Sequence, residues 1–347
     1  MLLEGLHLPL LTPFYPDGRL NLRKLEHNVD RYSRTPVAGL VALARAGEPT
    51  LLSDTETREL LQVAMGAAAE TKVMLASVSQ DSVLRTVDLA EFATEVGYDA
   101  VLLGRPQFLG AKQVRELLTY FQSVADRSPA PVVLYSTGAG EIPFEVVPEL
   151  SGHPRVIGLF DEDAAAGHLE QVRSATSSVR REVTVTTVFA AATGRMLAAR
   201  EPEGAATFVS AESLGGGAAL ATAPPKPTLK TRTKTVGFQV VASSSKGMLS
   251  GLRAGAVGAM PAFAACAPQA CYEVLAAWKD DDQALAEEKQ ARLAPAVELI
   301  EERMGVPGLR YGCDLNGYFG GRPRLPVLPV NGEERRRIEE AMKGIRS

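Results

Sequence analysis

Two side chains stand where short apolar runs end and could act on a small organic acid. Arg45 follows the run 39–44, and Tyr135 ends the run 132–135. A guanidinium can hold a carboxylate through two parallel hydrogen bonds, and a buried phenol can donate or accept a proton. The alternatives are an ion pair of Arg45 with Glu48 or another acid, and a core tyrosine whose hydroxyl is simply satisfied.

Three consecutive acids, Asp161, Glu162 and Asp163, follow the apolar run 156–160. With carbonyl groups and water they could ligate a hard divalent cation, as in metal-dependent aldolases. We favour the competing interpretation, a solvated acidic loop. The four histidines show no ligand spacing, so the sequence predicts no metal site.

Such residues act together only if the fold brings strand ends side by side. Short apolar runs alternate with amphipathic helical segments, as expected of parallel strands that are buried on both faces. The runs are 6–11, 39–44, 73–77, 100–103, 132–135 and 156–160. Repeated β-α units in this number predict an α/β fold, the (β/α)8 TIM barrel, whose chemistry lies at the carboxyl ends of the strands.

The pattern changes after Phe160. We predict an inserted segment at about 166–236, before the seventh strand, with a strand at 183–188. A stretch rich in glycine, alanine, proline and lysine at 214–235 is typical of a flexible loop.

The last part of the chain completes the barrel and extends it. Runs at 238–242 and 256–262 predict the final strands, so we expect the barrel to span residues 1–265. Helical periodicity dominates 266–347, which predicts a C-terminal helical region.

The bulk properties exclude several classes of function. The 347 residues carry a net charge of −4 without a basic stripe, which argues against nucleic-acid binding. The first residues lack a basic segment, and their apolar run breaks at Thr12-Pro13, so we expect neither a signal peptide nor a membrane span. The few cysteines, without zinc spacing, favour a reduced cytoplasmic compartment.

Several segments follow one another in the order and spacing of a known enzyme family. They are Thr12-Pro13-Phe14, Arg45-Ala46-Gly47-Glu48, Gly97-Tyr98-Asp99-Ala100, Pro131-Val132-Val133-Leu134-Tyr135-Ser136, the run 155–161, and Arg322-Pro323-Arg324. Over about 4–165 and 237–345 the chain resembles the dihydrodipicolinate synthase / N-acetylneuraminate lyase family.

This resemblance implies a homo-oligomeric class I aldolase or lyase, a dimer or tetramer. Its lysine would form a Schiff base with pyruvate or another 2-keto acid, its tyrosine would relay protons, and the loop after the second strand would bind the carboxylate. Neither a metal nor an organic cofactor is implied. Tyr135, Gly47 and Glu48 match the family's pattern, and Tyr135 is the retained catalytic position.

The sequence departs from the family at most other site positions. Phe160 stands where the lysine is expected and cannot form an imine. Arg45 and Ala46 replace the two threonines, Ser136 replaces the asparagine after the tyrosine, and Gly140 replaces an arginine. The neighbouring subunit's tyrosine falls near Gln107-Phe108, so its hydroxyl is missing.

Three hypotheses of function follow. The first is a divergent family member without Schiff-base chemistry, which binds a small carboxylate through Arg45, Ala46, Gly47, Glu48 and Ser136 or partners an active relative. The second is a carbon–carbon lyase acting on a 2-keto acid, with an amine from Lys246 or a partner chain. The third is a metal-assisted lyase that uses the acids 161–163.

Overall fold

Eight parallel strands close into a barrel in the computed structural model, which describes residues 1–162, 166–198 and 229–345. The barrel strands are β1 (Gly5–Pro9), β2 (Gly39–Ala42), β3 (Val73–Ser77), β4 (Ala100–Gly104), β5 (Val132–Ser136), β6 (Val156–Asp161), β9 (Gln239–Ala242) and β10 (Gly258–Ala259). Their order around the barrel is β1-β10-β9-β6-β5-β4-β3-β2. The predicted (β/α)8 fold is therefore confirmed, including the six strands predicted in the first half of the chain.

The barrel strands alternate between two apolar layers, because successive side chains of a strand point to opposite faces. Phe160 and Tyr135 belong to the cluster that fills the barrel interior. Leu159 and Leu134 belong to the larger core between the strands and the surrounding helices. The pairing of Tyr135 with Phe160 in the β5–β6 register places these two aromatic residues side by side.

Helices alternate with the strands and cover the barrel from outside. They are α1 (Leu22–Ser33), α2 (Asp54–Ala67), α3 (Val83–Val96), α4 (Val114–Arg127), α5 (Val146–Ser151), α6 (Ala166–Ala175) and α8 (Met248–Arg253). A further short helix, α7 (Gly194–Ala198), belongs to the inserted segment. The predicted capping box of α2 is present, with Ser53 and Glu56 each bonding the other's backbone N–H.

The chain between the sixth and seventh barrel strands adds an antiparallel hairpin, β7 (Arg181–Thr186) and β8 (Thr231–Val236). Helix α6 contacts α5 and α8, as a barrel helix does, so the extra structure begins after it. Residues 231–235 belong to β8, and the loop prediction for them is wrong. Residues 214–228 of the predicted loop lie outside the described residues.

This hairpin covers the amino-terminal end of the barrel, opposite the end where chemistry is expected. Val183 and Val185 pack with Leu2 in a small cluster of their own. Arg181 donates to the Ser151 and His153 carbonyl oxygens, just before β6, at 2.8 Å. The inserted segment therefore does not block the carboxyl ends of the strands in the part that the structure describes.

A second anchor of the inserted segment comes from the residues around α7. Arg195 donates to the Ala68 and Lys72 carbonyl oxygens at 2.7 Å, and Gly194 N donates to Asp99 Oδ1 at 2.7 Å. Lys72 directly precedes β3 and Asp99 directly precedes β4. These contacts again lie at the amino-terminal end of the barrel.

The C-terminal region folds back over the barrel. Its helices are α9 (Pro268–Lys279), α10 (Gln283–Val297), α11 (Val306–Leu315) and α12 (Gly332–Ala341). Pro295 interrupts the hydrogen-bond ladder of α10, and the next residues, Glu298–Arg303, form a π-helical turn.

Two further observations concern the cysteines and the length of the helices. All three cysteines are free and buried. In the part of the chain that the structure describes, no helix is both long and apolar enough to cross a bilayer.

Candidate active site

The candidate site lies at the carboxyl ends of the strands, where two cavities meet. The outer cavity has a volume of about 1020 Å3 and lies between the loops after β2 to β5 and the start of α11. The inner one, of about 50 Å3, reaches Pro9 of β1 and Ser243 beyond β9. We call them the mouth and the chamber. Arg45, Tyr135, Gly305 and Val306 line both, so the chamber opens into the mouth.

Glu162 is the centre of the hydrogen bonding in the site. Its Oε1 accepts from Arg45 Nε at 3.2 Å and from Tyr135 Oη at 3.1 Å, and its Oε2 accepts from Gly138 N at 3.2 Å. The residue directly follows β6, whose last inward side chain is Phe160. Two residues singled out in the sequence, Arg45 and Tyr135, are therefore brought together by one of the three consecutive acids.

Arg45 lies in a 3-10 turn, Arg45–Gly47, directly after β2. Burial lowers its pKa, but the charge of Glu162 and its hydrogen bond more than offset this, so the net shift is upward. Its side chain is still 59% exposed toward the cavities. Arg45 therefore forms an ion pair with an acid at the strand ends, as the alternative prediction has it. The partner is Glu162 rather than Glu48.

Tyr135 is buried at the end of β5, and its hydroxyl is held by Glu162. Burial raises the pKa of Tyr135 above its ordinary value, and the negative charge of Glu162 adds to the effect. The phenol therefore keeps its proton at neutral pH and acts as a hydrogen-bond donor in the site.

Phe160 is fully buried in the apolar barrel interior rather than in a polar cup. Its ring lies 5.3 Å from the ring of His7 of β1, centroid to centroid. Burial lowers the pKa of His7 to about 4, so the imidazole is neutral at physiological pH. Phe160 thus packs as a core side chain beneath the chamber.

Glu301 is a residue of the site that the sequence did not indicate. It lies in the π-helical turn, lines the chamber, and accepts hydrogen bonds on Oε2 from Ser245 Oγ and from Phe263 N at 3.0 Å. Burial raises the pKa of Glu301 to about 7, against the lowering effect of these bonds and of the Arg45 charge. The carboxyl can therefore gain or lose a proton near neutral pH.

Arg105 of the loop after β4 is a second cation of the mouth that the sequence did not indicate. Its guanidinium donates to the Leu109 carbonyl oxygen and, at 3.0 Å, to that of Ala139. It therefore lies beside Gly140, the position where the resemblance expects an arginine. Arg105 thus brings a guanidinium to the mouth next to this position.

The remaining predicted binding residues have different surroundings. Ala46 lines the chamber, and the Gly47 carbonyl accepts from Thr12 Oγ1 at 2.5 Å. Glu48 touches the mouth, but its carboxylate is buried and paired with Arg310. Ser136 is buried, and its hydroxyl accepts from Ile142 N at 3.2 Å, away from both cavities.

The two acids that the structure describes, Asp161 and Glu162, have different surroundings. Asp161 is buried and contacts His168 of α6, 3.1 Å from Oδ2 to Nε2, whereas Glu162 faces the chamber. Asp163 lies outside the described residues. Among the residues that are described, no group of three or more acids, histidines or cysteines could hold a metal ion.

Lys246 lies apart from the site. Its Nζ is 3.7 Å from Glu302 Oε2, and its side chain is 70% exposed. It borders a shallow surface depression with Glu170 and Gln290. No lysine of the described ranges lines the mouth or the chamber.

Comparisons with known proteins agree with this architecture. The profile of the Dihydrodipicolinate synthetase family matches residues 2–213 and 228–345. A 4-hydroxy-tetrahydrodipicolinate synthase of Acidiphilium cryptum is 23% identical over 345 residues, which is 99% of this chain and 98% of that protein.

Solved structures with the same fold span nearly the whole chain. Dihydrodipicolinate synthase DapA-2 of Bacillus anthracis superposes with a TM-score of 0.77 at 17% identity, covering 99% of both chains. YagE of E. coli K12, a prophage protein of the dihydrodipicolinic acid synthase family in complex with pyruvate, superposes with a TM-score of 0.76 at 19% identity, again covering 99% of both.

Proposed function

Because the chain belongs to the dihydrodipicolinate synthetase family, we propose that it uses the barrel mouth to bind a small carboxylate or 2-keto acid without capturing it as a Schiff base. The observation that carries this proposal is Phe160, buried in the apolar interior where the resemblance expects the lysine. The barrel is retained, and the chemistry at the strand ends is different.

The case against an imine rests on the amine that it requires. A Schiff base needs a primary amine within reach of the carbonyl carbon. Neither cavity is lined by a lysine of the described residues. Lys246 is the alternative source named from the sequence, but its side chain is exposed, contacts Glu302, and lines neither cavity.

The case for a carboxylate ligand rests on Arg45. Only its Nε is used by Glu162 in the described contacts, and the guanidinium has further N–H donors in a fixed planar arrangement. The side chain lines both cavities, so these donors can meet a carboxylate that enters through the mouth. A 2-keto acid held there places its carbonyl group near Tyr135 and the chamber.

Binding and adduct formation test the proposal together. Pyruvate and longer 2-keto acids are titrated into the protein, with saturation-transfer NMR and calorimetry as the measurements. We expect Arg45→Ala to weaken binding by at least 10-fold, whereas Arg34→Ala, which removes an exposed pair with Asp30 on α1, leaves the dissociation constant unchanged. An unchanged constant for Arg45→Ala would remove Arg45 from the site.

The same samples are treated with borohydride and read by intact-protein mass. We expect no reduced adduct with pyruvate. An adduct that maps to a lysine at the mouth would overturn the proposal and favour the lyase alternative. Activity or thermal stabilisation that a chelator removes would favour the metal-assisted alternative instead.

We also propose a homo-oligomer, a dimer or tetramer. Phe108, on the loop after β4 beside the mouth residue Gln107, is 69% exposed although it is large and apolar. Light scattering after size-exclusion chromatography measures the assembly. A monomer at micromolar concentration would contradict this part of the proposal.

A further inference from the structure

We propose that Glu301 is the proton-transfer group of this site and removes a proton from the carbon next to the carbonyl group of a bound 2-keto acid. This inference rests on the proposed function, since it needs a ligand held by Arg45. It assigns chemistry to a residue of the C-terminal region rather than to a barrel strand.

The position of Glu301 is the first argument. The chamber is the inner end of the cavity system, and Glu301 lines it together with Arg45, Glu162 and Tyr135. A volume of about 50 Å3 accommodates the end of a small ligand rather than a whole one. A ligand whose carboxylate is at Arg45 therefore presents its adjoining carbons to Glu301.

The second argument is that Glu301 is held in place. Both of its observed hydrogen bonds, from Ser245 Oγ and Phe263 N, go to Oε2, and Phe263 N also donates to Ser245 Oγ at 3.2 Å. Ser245 follows β9 and Phe263 follows β10. The two last barrel strands thus fix a carboxyl that the π-helical turn extends into the chamber.

The surrounding charges favour a carboxyl that exchanges its proton. Burial is the main cause that raises the pKa of Glu301 to about 7, the charge of Glu162 acts in the same direction, and the charge of Arg45 opposes it. A general base works best when its pKa is near the working pH. The titratable and charged groups near it are Arg45, Tyr135, Glu162, Cys266 and Cys271.

Glu162 is the other carboxylate of the chamber and is the weaker candidate. Its two oxygens accept from Arg45, from Tyr135 and from Gly138 N. These three donors use most of the acceptor sites of the carboxylate. Glu162 is therefore assigned to orienting Arg45 and Tyr135.

The step is balanced without any further reactant. The C–H bond on the carbon next to the carbonyl breaks, and the proton passes to Glu301. The electron pair of that bond forms the carbon–carbon double bond of an enolate, and the negative charge moves to the carbonyl oxygen, which the Arg45 guanidinium stabilises. Return of the proton from Glu301 restores the keto acid.

Hydrogen isotope exchange measures this step directly. Pyruvate is incubated with the protein in D2O, and loss of the methyl signal is followed by proton NMR. We expect Glu301→Gln to reduce the exchange rate by about 100-fold or more, which is the usual contribution of a general base. Glu301→Asp should keep part of the rate, because it retains a carboxyl on a shorter side chain.

Glu302→Gln is the matched control, since Glu302 is the next residue of the same turn and contacts the exposed Lys246. We expect this variant to exchange the methyl hydrogens of pyruvate at the wild-type rate. The wild-type rate should rise with pH to a plateau above about 7, the pKa given by the burial of Glu301. Circular dichroism and thermal melts confirm that each variant is folded.

The outcomes separate the two proposals. Pyruvate binding by the wild type without exchange overturns the role of Glu301 and leaves the proposed function standing. Absence of binding overturns both. Exchange that persists unchanged in Glu301→Gln assigns proton transfer to another group.

Discussion

Arg310 of α11 and Glu48 of the loop after β2 form a buried ion pair, with 3.1 Å between Arg310 Nε and Glu48 Oε2. The remaining guanidinium donors are also used, since Arg310 donates to the Gly320 carbonyl oxygen at 2.6 Å and to that of Thr12 at 2.8 Å. The pair therefore ties the C-terminal helices to the mouth. Glu48, which matches the family's pattern, is therefore paired with Arg310 at the edge of the site.

Removing one member of this pair should be strongly destabilising. Arg310→Met leaves the Glu48 carboxylate buried without its counter-ion, and we expect the free energy of unfolding to fall by about 3 to 5 kcal/mol. Urea denaturation measures it. Arg34→Ala, which removes an exposed i,i+4 pair, should cost less than about 1 kcal/mol. A loss of similar size in both variants would contradict the assignment.

Phe160 should behave as a packing residue. Phe160→Ala leaves a cavity in the barrel interior, and we expect a loss of about 3 to 5 kcal/mol in the free energy of unfolding. Phe160→Leu fills more of the space and should cost clearly less. Equal stability of Phe160→Ala and the wild type would mean that the ring is not part of the core.

Glu301 should make stability depend on pH. Its pKa is raised from 4.5 to about 7 in the folded protein, so the folded state binds the proton more tightly than the unfolded state. Stability from this group is fully present below about pH 4.5 and is lost as the pH rises to about 7. When the pH rises from 4.5 to 8, the free energy of unfolding of the wild type should fall by about 3 kcal/mol more than that of Glu301→Gln. If urea denaturation gave the same difference in the free energy of unfolding between the two proteins at every pH, the pKa of Glu301 would not be shifted.

His7 should resist protonation while the protein is folded. Its pKa is lowered from 6.5 to about 4 by burial, so stability from this group is present above about pH 6.5 and is lost as the pH falls to about 4. NMR of the imidazole carbons should show no titration between pH 8 and pH 5. A midpoint near 6.5 would mean that water reaches the barrel interior.

The sequence predicted the barrel and missed the hairpin strand β8 for a physical reason. The barrel strands are buried on both faces, so they appear as continuous apolar runs such as 100–103. By contrast Thr231–Val236 is partly exposed along its length and consists of threonines and basic residues with one valine. Its pairing with β7 depends on a partner far along the chain, which no local pattern indicates.

The sequence indicated only part of the candidate site, because local patterns do not show which distant segments meet. Arg45 and Tyr135 stand directly at strand ends, and a closed barrel brings such positions together. Glu301 lies in a helical segment of ordinary polarity, and only the docking of that helix places it near Arg45. The one local signal was Pro295, which interrupts a helical pattern just before the π-helical turn.

The π-helical turn has a consequence for motion as well as for chemistry. Because Glu301 reaches the chamber from a helix that docks on the barrel, partial opening of the C-terminal region would dismantle the site while the barrel stayed folded. A bound keto acid would favour the docked form by mass action. The amide hydrogens of residues 298–315 should therefore exchange with solvent more slowly when pyruvate is bound. Binding in the mouth would in this way stabilise the docked π-helical turn and α11.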